Sequence, residues 1–257
     1  MPASRHPVNG APCWVSLMAR DLEAAQTFYG AVLGWTFRPT TLGDEFSLAL
    51  NNGAAVAGIG ALAPSLQAAV AWTPYFAVDD ADLVSARIRE RGATVAVGPL
   101  PMHTGRATLA ADPDGAVFGF WEGRTVAGWS VGRGSAPARL ELRTRDAFAA
   151  AIFYGQVLGW GSDEKESCEV HYEDDQVLVR DGAHTVAALR GGAIESAPDP
   201  QIRPRWHVYF RVADVGAAAR AAAVGGGVVV TPPDLTPAGE EATLRDPDGG
   251  LFTIVSA

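Results

Sequence analysis

Apolar and polar positions alternate in short runs along most of this chain, and stretches of helical period break in between them. Residues 13–19 read as a strand. Asp21 then stands as an N-cap, and Leu22, Ala25, Phe28, Tyr29, Val32 and Leu33 fall on one face of a helix that Gly34 stops. Short strands are predicted near 45–50 and 54–61. The scheme then restarts with a strand at 73–78, Asp80 as cap, and a helix carrying Leu83, Arg87, Ile88 and Arg91, closed by Gly92. Strands near 94–97, 106–111 and 116–121 complete it. Asp112-Pro113-Asp114-Gly115 joins the last two, because Pro and Gly supply the fixed and the positive backbone angles of a tight turn.

The pattern is duplicated. Phe28-Tyr29-Gly30-Ala31-Val32-Leu33-Gly34-Trp35 returns 125 residues later as Phe153-Tyr154-Gly155-Gln156-Val157-Leu158-Gly159-Trp160. The segment Trp72–Val78 returns 134 residues later as Trp206–Val212, and Asp112-Pro113-Asp114-Gly115 returns at the same offset as Asp246-Pro247-Asp248-Gly249. Order is kept, and the change of offset places extra loop residues of the second copy around 161–174 and 191–205. The expected fold class is α+β: βαβββ units in tandem, four in total, forming two barrel-like modules of curled sheet. The modules are expected at 1–122 and 137–257. Residues 123–136, rich in Gly and Ser, form the connector; Trp129 is an unusual residue for a free linker, and docking on one module and a half-exposed ring with no special role are both open for it.

Composition narrows the function. Of 257 residues 48% are hydrophobic and 19% charged, enough for a packed core. The net charge is −9 with no basic block, which argues against nucleic acid and against an electrostatic membrane dock. No apolar stretch reaches membrane-span length, and residues 1–12 lack the core of a signal peptide, so the cytoplasm is expected. Cys13 and Cys168 lie in different copies without metal-type spacing and are expected as free thiols. No phosphate loop or nucleophile elbow is present, and Gly225-Gly226-Gly227 follows a helical stretch, so it reads as a helix stop.

The strand–Asp–helix segment ending Phe-Tyr-Gly-Ala-Val-Leu-Gly-Trp, the Asp-Pro-Asp-Gly turns, the Cys13-Trp14-Val15-Ser16-Leu17 opening and the Trp72 and Trp206 strands resemble the vicinal oxygen chelate superfamily. That superfamily spans glyoxalase I, extradiol dioxygenases and bleomycin-resistance proteins, and the nearest likeness is to two-module actinobacterial glyoxalase-like members. The resemblance implies a divalent cation held by His, Gln and Glu. Residue by residue, the first-strand His would fall at Trp14 and Arg139, the mid-module His at Thr73 and His207, and the last-strand Glu at Gly119 and Thr253. The fourth ligand aligns with 58–60 and 188–190, where no ligand type stands. Only His207 is a competent ligand, so no metal and no other cofactor is expected. His6, His103, His171 and His184 show no ligand spacing and are expected to face solvent. The acidic run Asp163, Glu164, Glu166, Glu169, Glu173, Asp174, Asp175 is expected as a solvated loop.

Taking the family's ligand positions as inward-facing, the first copy offers Trp14, Ser16, Thr73, Tyr75, Gly119 and Trp121, a lining suited to a flat, mostly apolar ligand. The same rings could equally fill a barrel that binds nothing. The second copy offers Arg139, Glu141, His207, Tyr209, Thr253 and Val255, where a carboxylate could orient an imidazole for proton transfer. A structural Glu–Arg or Glu–His pair on an outer face remains the bland alternative. Half-units pairing across copies would also separate Glu141 from His207. Two functions compete. One is metal-independent binding of a planar or hydrophobic, natural-product-like molecule, with Trp14, Ser16, Thr73, Tyr75, Trp121, Arg139 and Thr253 as contacts. The other is a metal-independent isomerase, cyclase or lyase using Glu141, His207 and Tyr209. Plugged barrels in an interaction protein are a third possibility. Because the duplication supplies in one chain the pairing that single-module relatives obtain by dimerising, a monomer is expected, with a dimer as the alternative.

Overall fold

The computed structural model describes residues 8–162, 167–173, 175–192 and 203–257. The first copy runs β1 (Pro12–Met18), α1 (Leu22–Leu33), β2 (Thr36–Pro39), β3 (Phe46–Asn51), β4 (Ala54–Gly60), a single turn α2 (Ala63–Leu66), β5 (Ala71–Ala77), α3 (Ala81–Glu90), β6 (Thr94–Met102), β7 (Gly105–Ala111) and β8 (Val117–Gly123). The second runs β9 (Arg139–Arg143), α4 (Ala147–Leu158), β10 (Glu169–Tyr172), β11 (Gln176–Asp181), β12 (His184–Arg190), β13 (Arg205–Val212), α5 (Val215–Val224), β14 (Val228–Thr236), β15 (Gly239–Arg245) and β16 (Leu251–Ser256).

The helix starts follow from local chemistry. Asp21, Asp80, Asp146 and Asp214 sit in extended backbone, and their carboxylates accept from N–H groups that the first turn leaves unpaired. Gly34 and Gly159 end α1 and α4 in the left-handed region at φ 68° and 80°, where a side chain would be strained. One predicted face needs correction. In α3 the buried positions are Ala81, Val84, Ser85 and Ile88, while Leu83 is 47% exposed. Ala81, Val84, Ser85 and Ile88 recur at helical spacing and carry that face, so Ile88 belongs to it while Leu83 lies off it. The short strand β2, the turn α2 and the extension of β6 to Met102 also lie beyond what the pattern predicts.

Two eight-stranded sheets result, in the orders β2-β3-β4-β1-β5-β8-β7-β6 and β10-β11-β12-β9-β13-β16-β15-β14. Each half-unit closes on a parallel pair: Ser16 faces Gly58, Tyr75 faces Gly119, Glu141 faces Ala188 and Tyr209 faces Thr253. On β1 the buried residues Cys13, Val15 and Leu17 alternate with half-buried Trp14, Ser16 and Met18, so one face enters the core and the other is left for contact.

The chain packs into two compact units, and each mixes the copies. The first holds Met1–Trp14, Pro74–Val131 and Leu140–Trp206; the second holds Val15–Thr73, Gly132–Arg139 and His207–Ala257. Each has the same buried latch. In the second unit the Tyr29 hydroxyl donates to Asp246 Oδ2 at 2.8 Å and accepts from Trp72 Nε1 at 3.0 Å. In the first, the Tyr154 hydroxyl donates to Asp112 Oδ2 at 3.1 Å and accepts from Trp206 Nε1 at 3.0 Å. Thus the tyrosine of the Phe-Tyr-Gly motif in one copy is tied to the Asp-Pro-Asp-Gly turn of the other. Burial raises both carboxyls above the usual aspartate value and lifts both phenols well above theirs. Among the described residues no helix is long and apolar enough to cross a membrane.

Candidate functional site

The first copy presents rings on its half-buried face. Trp14, from β1, packs against Trp129 of the connector with centroids 5.7 Å apart and planes tilted by 46°. Trp129 reaches that place through a turn: its N–H donates to the Val126 carbonyl at 3.2 Å, and Gly128 takes φ 74° between them. The connector is pinned along its length. Trp121 Nε1 donates to the Arg124 carbonyl at 3.1 Å, and His184 Nε2 donates to the Val131 carbonyl at 2.6 Å. In the second unit the Arg211 guanidinium holds the carbonyls of Gly132 and Ala136. The solvent-facing expectation for His184 is corrected here: it is half-buried and serves as a linker anchor. The Gly and Ser content of the connector conceals this, because the anchoring groups lie far away in sequence.

Tyr75 stands over Gly119. A Cβ on that glycine would lie 2.4 Å from the tyrosine ring, so the ring occupies the space where a side chain at 119 would begin. Burial, with a smaller contribution from the Cys13 thiol, pushes the Tyr75 phenol up to about 12. Trp121 lies across Gly105 in the same manner, with its Cζ2 2.7 Å from where a Cβ would be. Ser16 is half-buried and Thr73 buried, both in the second unit.

The second copy carries a polar cluster, and most of it lies in the second unit. His207 is fully buried on β13, and its Nε2 lies 2.7 Å from Thr253 Oγ1 on β16. Thr253 Oγ1 lies in turn 2.9 Å from Thr243 Oγ1 on β15. The Arg139 guanidinium sits 4.3 Å from the centre of the Tyr209 ring and is bonded to Glu241, whose Oε1 also accepts from Thr236 Oγ1 at 3.2 Å. The His207 and Tyr209 rings meet edge to face at 5.1 Å. Of the residues the sequence singles out, the structure brings together Arg139, His207, Tyr209 and Thr253. Glu141 falls in the first unit, where Arg143 Nε at 2.9 Å and Arg190 Nε at 3.3 Å hold its buried carboxylate. Val255 is buried opposite Glu241 in the β15–β16 pair.

Glu241, Thr243 and Thr236 are members of the cluster that the sequence reading misses. The signal for one of them is present: the Asp246–Gly249 turn folds β15 back on β16, which places Thr243 opposite Thr253.

The fold's usual cation does not fit these donors. In the first copy its positions carry Trp14, Thr73 and a glycine covered by Tyr75. In the second they carry a guanidinium, one imidazole and a threonine hydroxyl, and a guanidinium repels a cation. Among the described residues no three His, Cys, Asp or Glu side chains are grouped so as to hold a metal. His103 is exposed, and His171 pairs with Glu169 at 3.1 Å. His6, Asp163, Glu164, Glu166 and Asp174 lie outside the described residues, while Glu169, Glu173 and Asp175 are exposed.

A curled sheet made of repeated βαβββ units defines a glyoxalase-like class. The chain belongs to the glyoxalase/bleomycin resistance protein/dioxygenase superfamily: that family's model matches residues 13–120, and the glyoxalase-like domain model matches 139–255. Among its relatives is the Mycobacterium tuberculosis protein named "Putative glyoxylase CFP32", 33% identical, covering 99% of this chain and 98% of that one. The anthracycline biosynthesis protein DnrV of Streptomyces peucetius is 31% identical over 96% of this chain and 93% of its own. Among solved structures, the Mn(II)-bound glyoxalase from Novosphingobium aromaticivorans superposes with a TM-score of 0.59 at 19% identity, over 98% of this chain and 83% of that one. The 2,3-dioxygenase LapB from Pseudomonas sp. KL28 gives 0.58 at 17% identity, over 97% and 93%. At these identities the structural likeness speaks for the fold.

Proposed function

We propose that this protein binds a planar, largely apolar small molecule without a metal, and that the ligand is a fused-ring aromatic of the anthracycline kind. The observation that carries this reading is the Trp14–Trp129 pair. Two adjacent, half-buried aromatic rings offer a surface on which a flat ligand can stack. Tyr75 over Gly119 supports it, because an aromatic ring takes the place the family gives to a metal-binding carboxylate. The relationship to DnrV agrees with the same ligand class. We place this activity in a cytoplasmic monomer.

Titration with alizarin, a planar fused-ring phenol, followed by tryptophan fluorescence, tests the reading. Saturable quenching is expected, unchanged by a chelator, with the dye recovered intact. Trp14→Ala should weaken binding by about tenfold, the value of one good aromatic contact. Absence of saturable quenching, loss of binding with chelator, or recovery of a transformed dye would overturn it.

A further inference from the structure

The polar face of the second copy has its hydroxyls in a row. His207 Nε2, Thr253 Oγ1 and Thr243 Oγ1 are linked at 2.7 and 2.9 Å, running from a fully buried imidazole to a half-buried threonine. Each hydroxyl owns one proton, so the row has two coherent settings. When Nε2 is bare, Thr253 donates to it and Thr243 donates to Thr253, and Thr243 shows only lone pairs outward. When Nε2 carries a proton, both hydroxyls reverse and Thr243 turns its own proton outward. The state of the imidazole is therefore expressed at Thr243.

A charge stands beside this row. The Arg139 guanidinium lies over Tyr209, the residue paired directly with Thr253, and is held by Glu241, two residues before Thr243 on the same strand. Residues two apart share a face, about 7 Å from each other. The first copy has none of this: the matching positions are Trp14, Leu109, Ala107, Thr73 and Gly119. The first copy's scaffold stands without such a row.

We propose that this face takes up an acidic enol or phenol as its oxyanion. The proposal rests on the planar-ligand reading for the chemical class of the molecule alone, and concerns the polar face of the second unit by itself. The ligand O–H bond breaks as its proton passes to Thr243 Oγ1, the Thr243 proton passes to Thr253 Oγ1, and the Thr253 proton passes to Nε2 of His207. The oxyanion left behind lies against Arg139. No other reactant enters, and the total charge of the site is unchanged: guanidinium and imidazolium stand against Glu241 and the ligand oxygen.

Alizarin tests this as well, because its visible spectrum changes on ionisation. At a pH where the free dye is neutral, dye bound to the wild-type protein should absorb as the anion, its ionisation midpoint moved to a proton concentration at least about tenfold higher, the scale set by one nearby opposite charge. Thr243→Val is isosteric and half-buried, and it should return the bound dye to the neutral spectrum while fluorescence quenching persists. Arg139→Met should also shift bound dye to the neutral spectrum. His207→Gln extends the test if circular dichroism shows an intact fold, and Thr243→Val stands alone if it does not. Neutral dye bound to the wild type, or anionic dye bound to Thr243→Val, overturns the proposal while leaving the planar-ligand reading in place. Absence of both quenching and spectral change overturns the two together.

Discussion

At the scale of single residues, the two Tyr–Asp–Trp latches join buried polar groups that would be left unsatisfied if a partner were lost. Tyr29→Phe leaves a buried carboxylate oxygen and a buried indole N–H each short of a partner, at a cost of about 2–4 kcal/mol. Tyr154→Phe should cost a similar amount, since its contacts repeat the first set. Urea denaturation of both variants checks this. The same carboxyls set a pH dependence. Asp112 and Asp246 have folded-state values raised by burial above 3.8, so between that value and their raised values the folded chain binds more protons than the unfolded one. Stability should therefore fall as pH rises through that window. Changing Asp112 and Asp246 together to Asn should flatten the slope, which denaturation midpoints across the acid range will show. The sequence displays these residues twice, as Phe-Tyr-Gly and Asp-Pro-Asp-Gly, but not their pairing, because a motif states local geometry and the latch joins positions 217 residues apart.

At the scale of elements, alternation along the strands is legible in the sequence and side-chain volume is not. The period of two correctly sets Trp14 and Ser16 on one face and Cys13 and Val15 on the other. It does not show that Tyr75 leans over Gly119, since that depends on the parallel register of β5 against β8. Gly119→Ala should destabilise by about 1–3 kcal/mol through crowding of that ring, and Tyr75→Ala should relieve most of it. A double-mutant cycle in denaturant measures the coupling, and additive effects would contradict the geometry. In α3 the buried face is Ala81, Val84, Ser85 and Ile88, at the spacing of a helix face, and the exposed Leu83 falls outside it. The proton row in the second copy is half visible: His207 and Thr253 stand out as family positions, but Thr243 and Glu241 gain meaning only once β15 is folded against β16.

At the scale of the whole molecule, the copies seen in the sequence and the compact units of the structure divide the chain differently. Family models follow the copies, at 13–120 and 139–255, while packing joins each half of one copy to a half of the other. Expressed alone, residues 8–122 and 137–257 should each lack a cooperative thermal transition, since each carries half of both cores. Mixed, they should regain one. A sharp transition in either fragment by itself would contradict this arrangement.

The crossed latches also carry a historical consequence. A duplicated gene is ordinarily free to lose or silence one half, because the other continues to work. Here Tyr29 answers to Asp246 and Tyr154 to Asp112, so a change in either half is felt in a core that both halves share. The two latches are matched in the present chain, while corresponding positions such as Trp14 and Arg139, or Gly119 and Thr253, differ. What differs between the halves is the chemistry of the two faces; what is the same in both is the latch that ties one half to the other.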